Sequence, residues 1–129
     1  MNINTIIKNE IYPFDLMVSF NETDKKFKSK LKSFDIDLDD ACLSLDSSKF
    51  ERGRAVLTQS NQLILRLNFY PKTPEQLGML AHEIFHIVEF LLEHINIKLS
   101  KKTDEVYAYM IGFYTKKIFE ILKKDETTT

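Results

Sequence analysis

Between Leu63 and Glu93 the chain changes its hydrophobic repeat once, from two residues to about 3.6, and two prolines mark the change. Leu63, Leu65, Leu67 and Phe69 fall on one side of an extended Gln62–Tyr70 segment, and Ile64, Arg66 and Asn68 on the other. That alternation predicts a β-strand. Pro71 and Pro74 end it, because proline removes a ladder donor and fixes φ. Thr73-Pro74-Glu75-Gln76 then starts a helix: Thr as N-cap, Pro at the first helical position, and Gln placed to complete a capping box. The helix should run to Glu93 or His94. A strand leading straight into a capped amphipathic helix requires sheet and helix to share a core.

The remaining segments fit the same plan. Phe14, Leu16, Val18 and Phe20 alternate with Asp15, Met17 and Ser19, which predicts a strand over Phe14–Phe20. From Glu22 to Phe34 the period becomes helical, with Phe27, Leu31 and Phe34 on one face. Ile36, Leu38, Leu43 and Leu45 alternate with Asp and Ser, which suggests a short strand within residues 35–52. Gly53–Gln59 and Gln62–Tyr70 read as two strands joined by a tight turn at Ser60-Asn61. Ile95–Lys102 is a linker, and a second helix begins near Ser100 or Thr103 and continues to about Lys123, leaving a frayed tail from Lys124 to Thr129. The expectation is one α+β domain spanning residues 1–129, with its core between about residues 14 and 123. Its small twisted, mostly antiparallel sheet, from Phe14–Phe20, Gly53–Gln59 and Gln62–Tyr70, packs on the helix that follows Thr73.

Charge excludes one class of partner. The formal net charge is −1, and the basic run from Lys25 to Lys32 is answered by the acidic run from Asp35 to Asp40. No electrostatic footprint for nucleic acid results. Cys42 is the only cysteine, so neither an intrachain disulfide nor a thiolate metal cluster can form; it reads as a small buried hydrophobe. The first residues lack the basic start and apolar run of a secretory signal, and no apolar stretch approaches the ~20 residues that cross a bilayer. A protein that stays in the cytoplasm, away from membranes, is expected.

His82-Glu83-Ile84-Phe85-His86 places two histidines four residues apart in the middle of the Thr73-capped helix. Residues at that spacing lie one above the other on a helix face, so both imidazoles can grip one ion from the same side. Glu83 is rotated about 100° from His82, beside the ion rather than on it. From there its carboxylate can take a proton from water activated by zinc, whose pKa falls to ~7.

A catalytic zinc site has a third protein ligand. His94 lies eight residues after His86, whereas other zinc peptidases that use a third histidine place a glycine three and that histidine six residues after the second one, positions held here by Glu89 and Leu92. Glu89 and Glu93 share the histidine face, but a donor on the same helix approaches the ion from a poor direction, so they fit better as partners outside the ligand set or as surface groups. Glu105, at the start of the next helix, remains. Tyr109, Gly112 and Lys116 fall within about 40° of Glu105 on that helix. Tyr109 is thus placed to direct its hydroxyl at a reacting oxygen, and Gly112 either lets the helices approach closely or has no role. Tyr107 points the other way, into the core. Asp104 reads either as helix N-terminal charge or as a partner for a histidine.

The motif His82-Glu83-x-x-His86, followed nineteen residues later by helical Glu105, resembles the gluzincin class of zinc metallopeptidases. Leu80–His86 together with Asp104–Tyr109 is similar to small zincin-like proteins encoded by bacteriophages and prophages, over roughly Gly53 to Phe119. The resemblance implies a minimal zincin-like fold, a Zn²⁺ ion on His82, His86 and Glu105, Glu83 as general base, and a peptide or protein substrate. Tyr109 would assist at the oxyanion; larger gluzincins have an aspartate at its position. By the same resemblance the Gln62–Tyr70 strand would hold an extended peptide by β-augmentation. The alternative is a catalytically silent zincin-like phage protein, structural or partner-binding, that keeps the zinc site. A metal-free helical domain binding a partner through its aromatic face is a third reading. The implied location is the bacterial host cytoplasm, or a virion.

Overall fold

The computed structural model describes residues 1–12, 14–36 and 52–128. In chain order these form β1 (Ile3–Ile7), β2 (Leu16–Phe20), α1 (Asp24–Ser33), β3 (Gly53–Leu57), β4 (Leu63–Leu67), α2 (Pro74–His94) and α3 (Asp104–Thr128). The architecture is α+β, with a four-stranded sheet in the order β1-β2-β4-β3. β1 pairs antiparallel with β2, β3 antiparallel with β4, and the central pair β2 and β4 runs parallel, Leu16 opposite Leu63 and Phe20 opposite Leu67. The sheet is therefore mixed. Its first strand was not expected: Ile3-Asn4-Thr5-Ile6-Ile7 has no clean alternation, yet Ile3 and Ile7 are buried in the main core, which thus begins well before residue 14. The strand suggested by Leu38, Leu43 and Leu45, and Cys42 with it, lie outside the described residues.

The two sheet faces are closed differently. Phe14, Leu16, Val18 and Phe20 join Leu63, Leu65 and Leu67 against α2 and α3, as their alternation predicts. The opposite face is covered by α1. Met17 and Ile64 pack there against Phe27, Leu31 and Ile36. Ser19 and Arg66, polar positions of that face, are fully buried as well. Arg66 reaches Asp24 (Nη1 to Oδ1, 2.9 Å), donates to the Glu22 carbonyl (2.9 Å), and stacks its guanidinium 4.3 Å from the Phe27 ring centre. Glu22 in turn accepts from Ser19 (2.7 Å) and Asn4 (2.6 Å). A buried charge without such partners is strongly unfavourable, so this cluster ties the start of α1 to the sheet.

The helix ends follow local chemistry. Thr73 accepts from the Gln76 N–H (3.2 Å) while the Gln76 side chain accepts from the Thr73 N–H (3.1 Å), completing the expected capping box. At the other end Asn96 takes a left-handed φ of 65°; its N–H bonds Glu93 O and that of Ile97 bonds Leu92 O, a Schellman closure. Asp35 (φ 58°) ends α1 in the same way and brings Ile36 into the core, while Phe34 stays exposed. The β3–β4 turn is one residue longer than expected. Thr58 O accepts from Asn61 N–H, Asn61 is left-handed (φ 66°), and Thr58 N–H pairs with Gln62 O.

α3 does not fray at Lys124 but continues to Thr128. Tyr70 holds this last stretch, donating to Leu122 O (3.3 Å) and to the Asp125 side chain. Burial, then the Asp125 hydrogen bond and the charges of Asp125 and Glu126, push the Tyr70 phenol up to about 12. Near β1, Asn9 donates to the buried Tyr114 hydroxyl (3.2 Å), fixing α3 against that edge of the sheet.

Candidate metal centre

α2 buries Leu80, Ile84, Ile87, Val88 and Leu91 against the sheet. Helical periodicity then turns His82 outward and His86 to the flank. His82 Nε2 and His86 Nε2 are 3.2 Å apart, with the rings edge to face at 4.8 Å between centres. The His86 ring is stacked near Phe90 at 6.3 Å, and its Nδ1 lies 3.4 Å from a Glu89 carboxylate oxygen. Glu83 Oε1 is 4.0 Å from His82 Nε2. The other Glu83 oxygen, Oε2, is buried and has no hydrogen-bond partner among the described residues.

Glu83 sits where the helix meets the sheet edge. A side chain on Gly53 would place its Cβ 2.6 Å from Leu67 Cδ2 and 3.5 Å from Glu83 Cγ, so glycine permits the close approach of β3 to α2. Beside it opens a cleft of about 410 Å³ lined by Arg52, Gly53, Met79, His82 and Glu83, among others. An exposed ion pair, Arg52 to Glu75 at 2.6 Å, stands at its rim.

The pair fits a metal ion on its own geometry. At the ~2.0–2.1 Å of a zinc–imidazole bond, nitrogens separated by the 3.2 Å seen here subtend roughly 100° at the ion, close to tetrahedral. The unpartnered Glu83 oxygen is a second mark of fit, because a buried carboxylate oxygen ordinarily has a donor.

The structure does not bring the remaining expected residues to this point. Among the described residues no group of three His, Cys, Asp or Glu side chains is gathered closely enough to hold a metal ion. Glu105 stands exposed in the first turn of α3, as does Asp104. Tyr109 is 73% exposed and lines a different groove, of about 620 Å³, with Ile7, Ile11, Met110 and Phe113. A Cβ on Gly112 would meet nothing within 4 Å, so this glycine does not serve helix approach. His94 is exposed and packs edge to face on Phe14 at 4.7 Å, away from the histidine pair. Tyr107 is buried as expected, and its hydroxyl donates to Ile97 O (2.6 Å). Burial, followed by the charges of Glu93 and Glu89, raises its phenol above the usual range.

One sequence expectation is corrected outright. The Gln62–Tyr70 segment contains β4, which lies between β2 and β3 with both edges paired, so no peptide can add to it. Among the described strands, the one at the sheet edge next to the histidines is β3. The longer apolar alternation made β4 the more conspicuous strand, but strand order depends on crossovers that periodicity does not carry. Gly53 was likewise not assigned a role at the site; the available signal was a glycine opening a strand. No described helix is long and apolar enough to cross a membrane. Compared with protein-family models, curated proteins and solved structures, the chain matches none.

Proposed function

We propose that this chain is a zinc-dependent metallopeptidase of the gluzincin type, built on a minimal zincin-like domain. The observation that carries the reading is the facing pair of His82 and His86 Nε2 atoms, 3.2 Å apart, with a buried and unpartnered carboxylate oxygen on the adjacent Glu83. His82 and His86 would hold the ion, with Glu105 as the third donor. When bound, zinc supplies Lewis acidity toward a water molecule and a substrate carbonyl.

The chain's own residues account for the rest. Glu83 takes the proton from the attacking water and returns it to the leaving amide nitrogen, the work of a general base that becomes a general acid. Its burial beside Gly53 keeps the carboxylate in one place and limits competing water. An extended substrate would pair with the outer edge of β3, whose other edge is taken by β4, and would pass the cleft holding His82 and Glu83. By resemblance, the setting is the cytoplasm of a phage-infected bacterium.

The second reading, a zinc-binding zincin-like protein that cleaves nothing, is favoured by the exposure of Glu105 and Tyr109. Digestion of a broad peptide library by zinc-loaded protein separates the two. Cleavage that a chelator abolishes and zinc restores is expected; a zinc-loaded protein that cuts nothing overturns the peptidase reading.

A further inference from the structure

The two histidines do not enter the site alike. His86 Nδ1 faces the Glu89 carboxylate at 3.4 Å, whereas no acidic partner lies at His82 Nδ1 among the described residues. An ionised carboxylate only accepts hydrogen bonds, so the proton at this contact must be on His86 Nδ1. In a neutral ring the lone pair is then at Nε2, the atom that faces His82. With His86 in that state, the 3.2 Å contact is satisfied in the metal-free protein when His82 Nε2–H donates to His86 Nε2.

We propose that Glu89 is the positioning residue of the metal centre, presetting His86 in the Nδ1–H tautomer, while His82 must change tautomer before both Nε2 atoms can face an ion. The inference rests on the metal-binding half of the reading above. Three features of the surroundings support it. Glu89 lies one turn beyond His86, a spacing that brings side chains together on a helix. Phe90 stacks near the His86 ring and restricts its rotation. Glu93 and Glu89 both add, after burial, to the raised phenol of Tyr107, so the Glu89 carboxylate lies on the α3 side of α2.

The test uses the full-length protein with ¹⁵N-labelled histidine, and Zn²⁺ alone as probe. In the metal-free wild type, imidazole nitrogen spectra at a pH above the histidine titration should show Nδ1–H at His86 and Nε2–H at His82. Zinc should move His82, and not His86, to the other tautomer. Glu89→Ala should remove the preference at His86 and weaken zinc binding by ~10–100-fold, the usual effect of losing an outer hydrogen-bond partner of a ligand. Glu89→Gln, whose amide oxygen still accepts, should restore most of both. Glu89 is partly exposed, and an unchanged helical circular dichroism spectrum checks each fold. A wild-type His86 that is mainly Nε2–H, or a Glu89→Ala protein with unaltered tautomers and zinc affinity, overturns the proposal. A wild type that binds no zinc overturns the metallopeptidase reading instead, and the metal-free spectra then still decide the role of Glu89.

Discussion

α2 and α3 were both expected to contribute to one site, yet they are built in contrasting ways. α2 is capped at both ends by its own sequence, from the Thr73–Gln76 box to the Asn96 closure. Helical spacing sets its site residues relative to one another: His82 over His86, Glu83 turned inward beside them, Glu89 behind His86. α3 is held by its buried face and its far end, through Tyr107, Tyr114 and the Tyr70 contact. The Thr103 hydroxyl turns back to Ser100 N–H in the linker rather than to the first turn of α3. Glu105 and Tyr109 project from that helix into solvent. The difference teaches that a helix can set its own side chains against one another by spacing, while a helix held by its buried face leaves its outward side chains to solvent.

The sharpest division between the helices is catalytic. Glu83→Gln keeps the shape of the side chain but cannot accept a proton, so peptide hydrolysis should fall ~10²–10⁴-fold with zinc content and fold unchanged. Wild-type hydrolysis in that variant would show that the base lies elsewhere, α3 included.

Zinc content compares the helices directly. His86→Ala should lower zinc affinity by more than the ~10–100-fold typical of an outer partner, and Glu105→Ala by less than His86→Ala. Equal losses would break the comparison and place α3 on the same footing as α2. Unchanged zinc in His86→Ala would remove the site from α2 altogether.

Stability separates the capped helix from the latched one by smaller amounts. Thr73→Ala removes an N-cap and should cost about 1 kcal/mol in chemical denaturation, and a loss near zero would mean that α2 does not depend on its cap. Tyr70→Phe removes a buried hydrogen bond to the end of α3, for about 0.5–1.5 kcal/mol near neutral pH.

The Tyr70 contact also carries a pH signature. Its phenol titrates near 10 unfolded and is pushed up to about 12 in the fold, so the folded state keeps the proton longer. Its stabilisation is complete below pH 10 and lost as pH rises from 10 toward 12. Wild type should lose more stability than Tyr70→Phe across that window. Parallel losses would detach Tyr70 from the end of α3.

Much of this was legible in the residues. The alternation of Phe14–Phe20 and Leu63–Phe69 identified the sheet face that meets α2, and the spacing of His82 and His86 identified their pairing. Periodicity is a local property, and these features depend only on neighbours in sequence. Burial of the opposite face was not legible. Ser19 and Arg66 carry no sign of it, because only the approach of α1 and the turn before it supplies Asp24, Glu22 and Phe27 to neutralise and cover them. β1 was missed because its buried residues Ile3 and Ile7 are too few and too mixed with polar ones to show a period.

The sequence by itself determined the capped α2 helix, the two histidines facing one another on it, and Glu83 beside them, since each follows from dihedral preference and helical repeat. Only the tertiary structure decided that, among the described strands, β3 rather than β4 lies at the edge, that Gly53 brings it against Glu83, and that Glu105 and Tyr109 stand apart in solvent. Those outcomes depend on strand order and helix docking, which are set by the burial of whole faces against one another. No short motif contains that information.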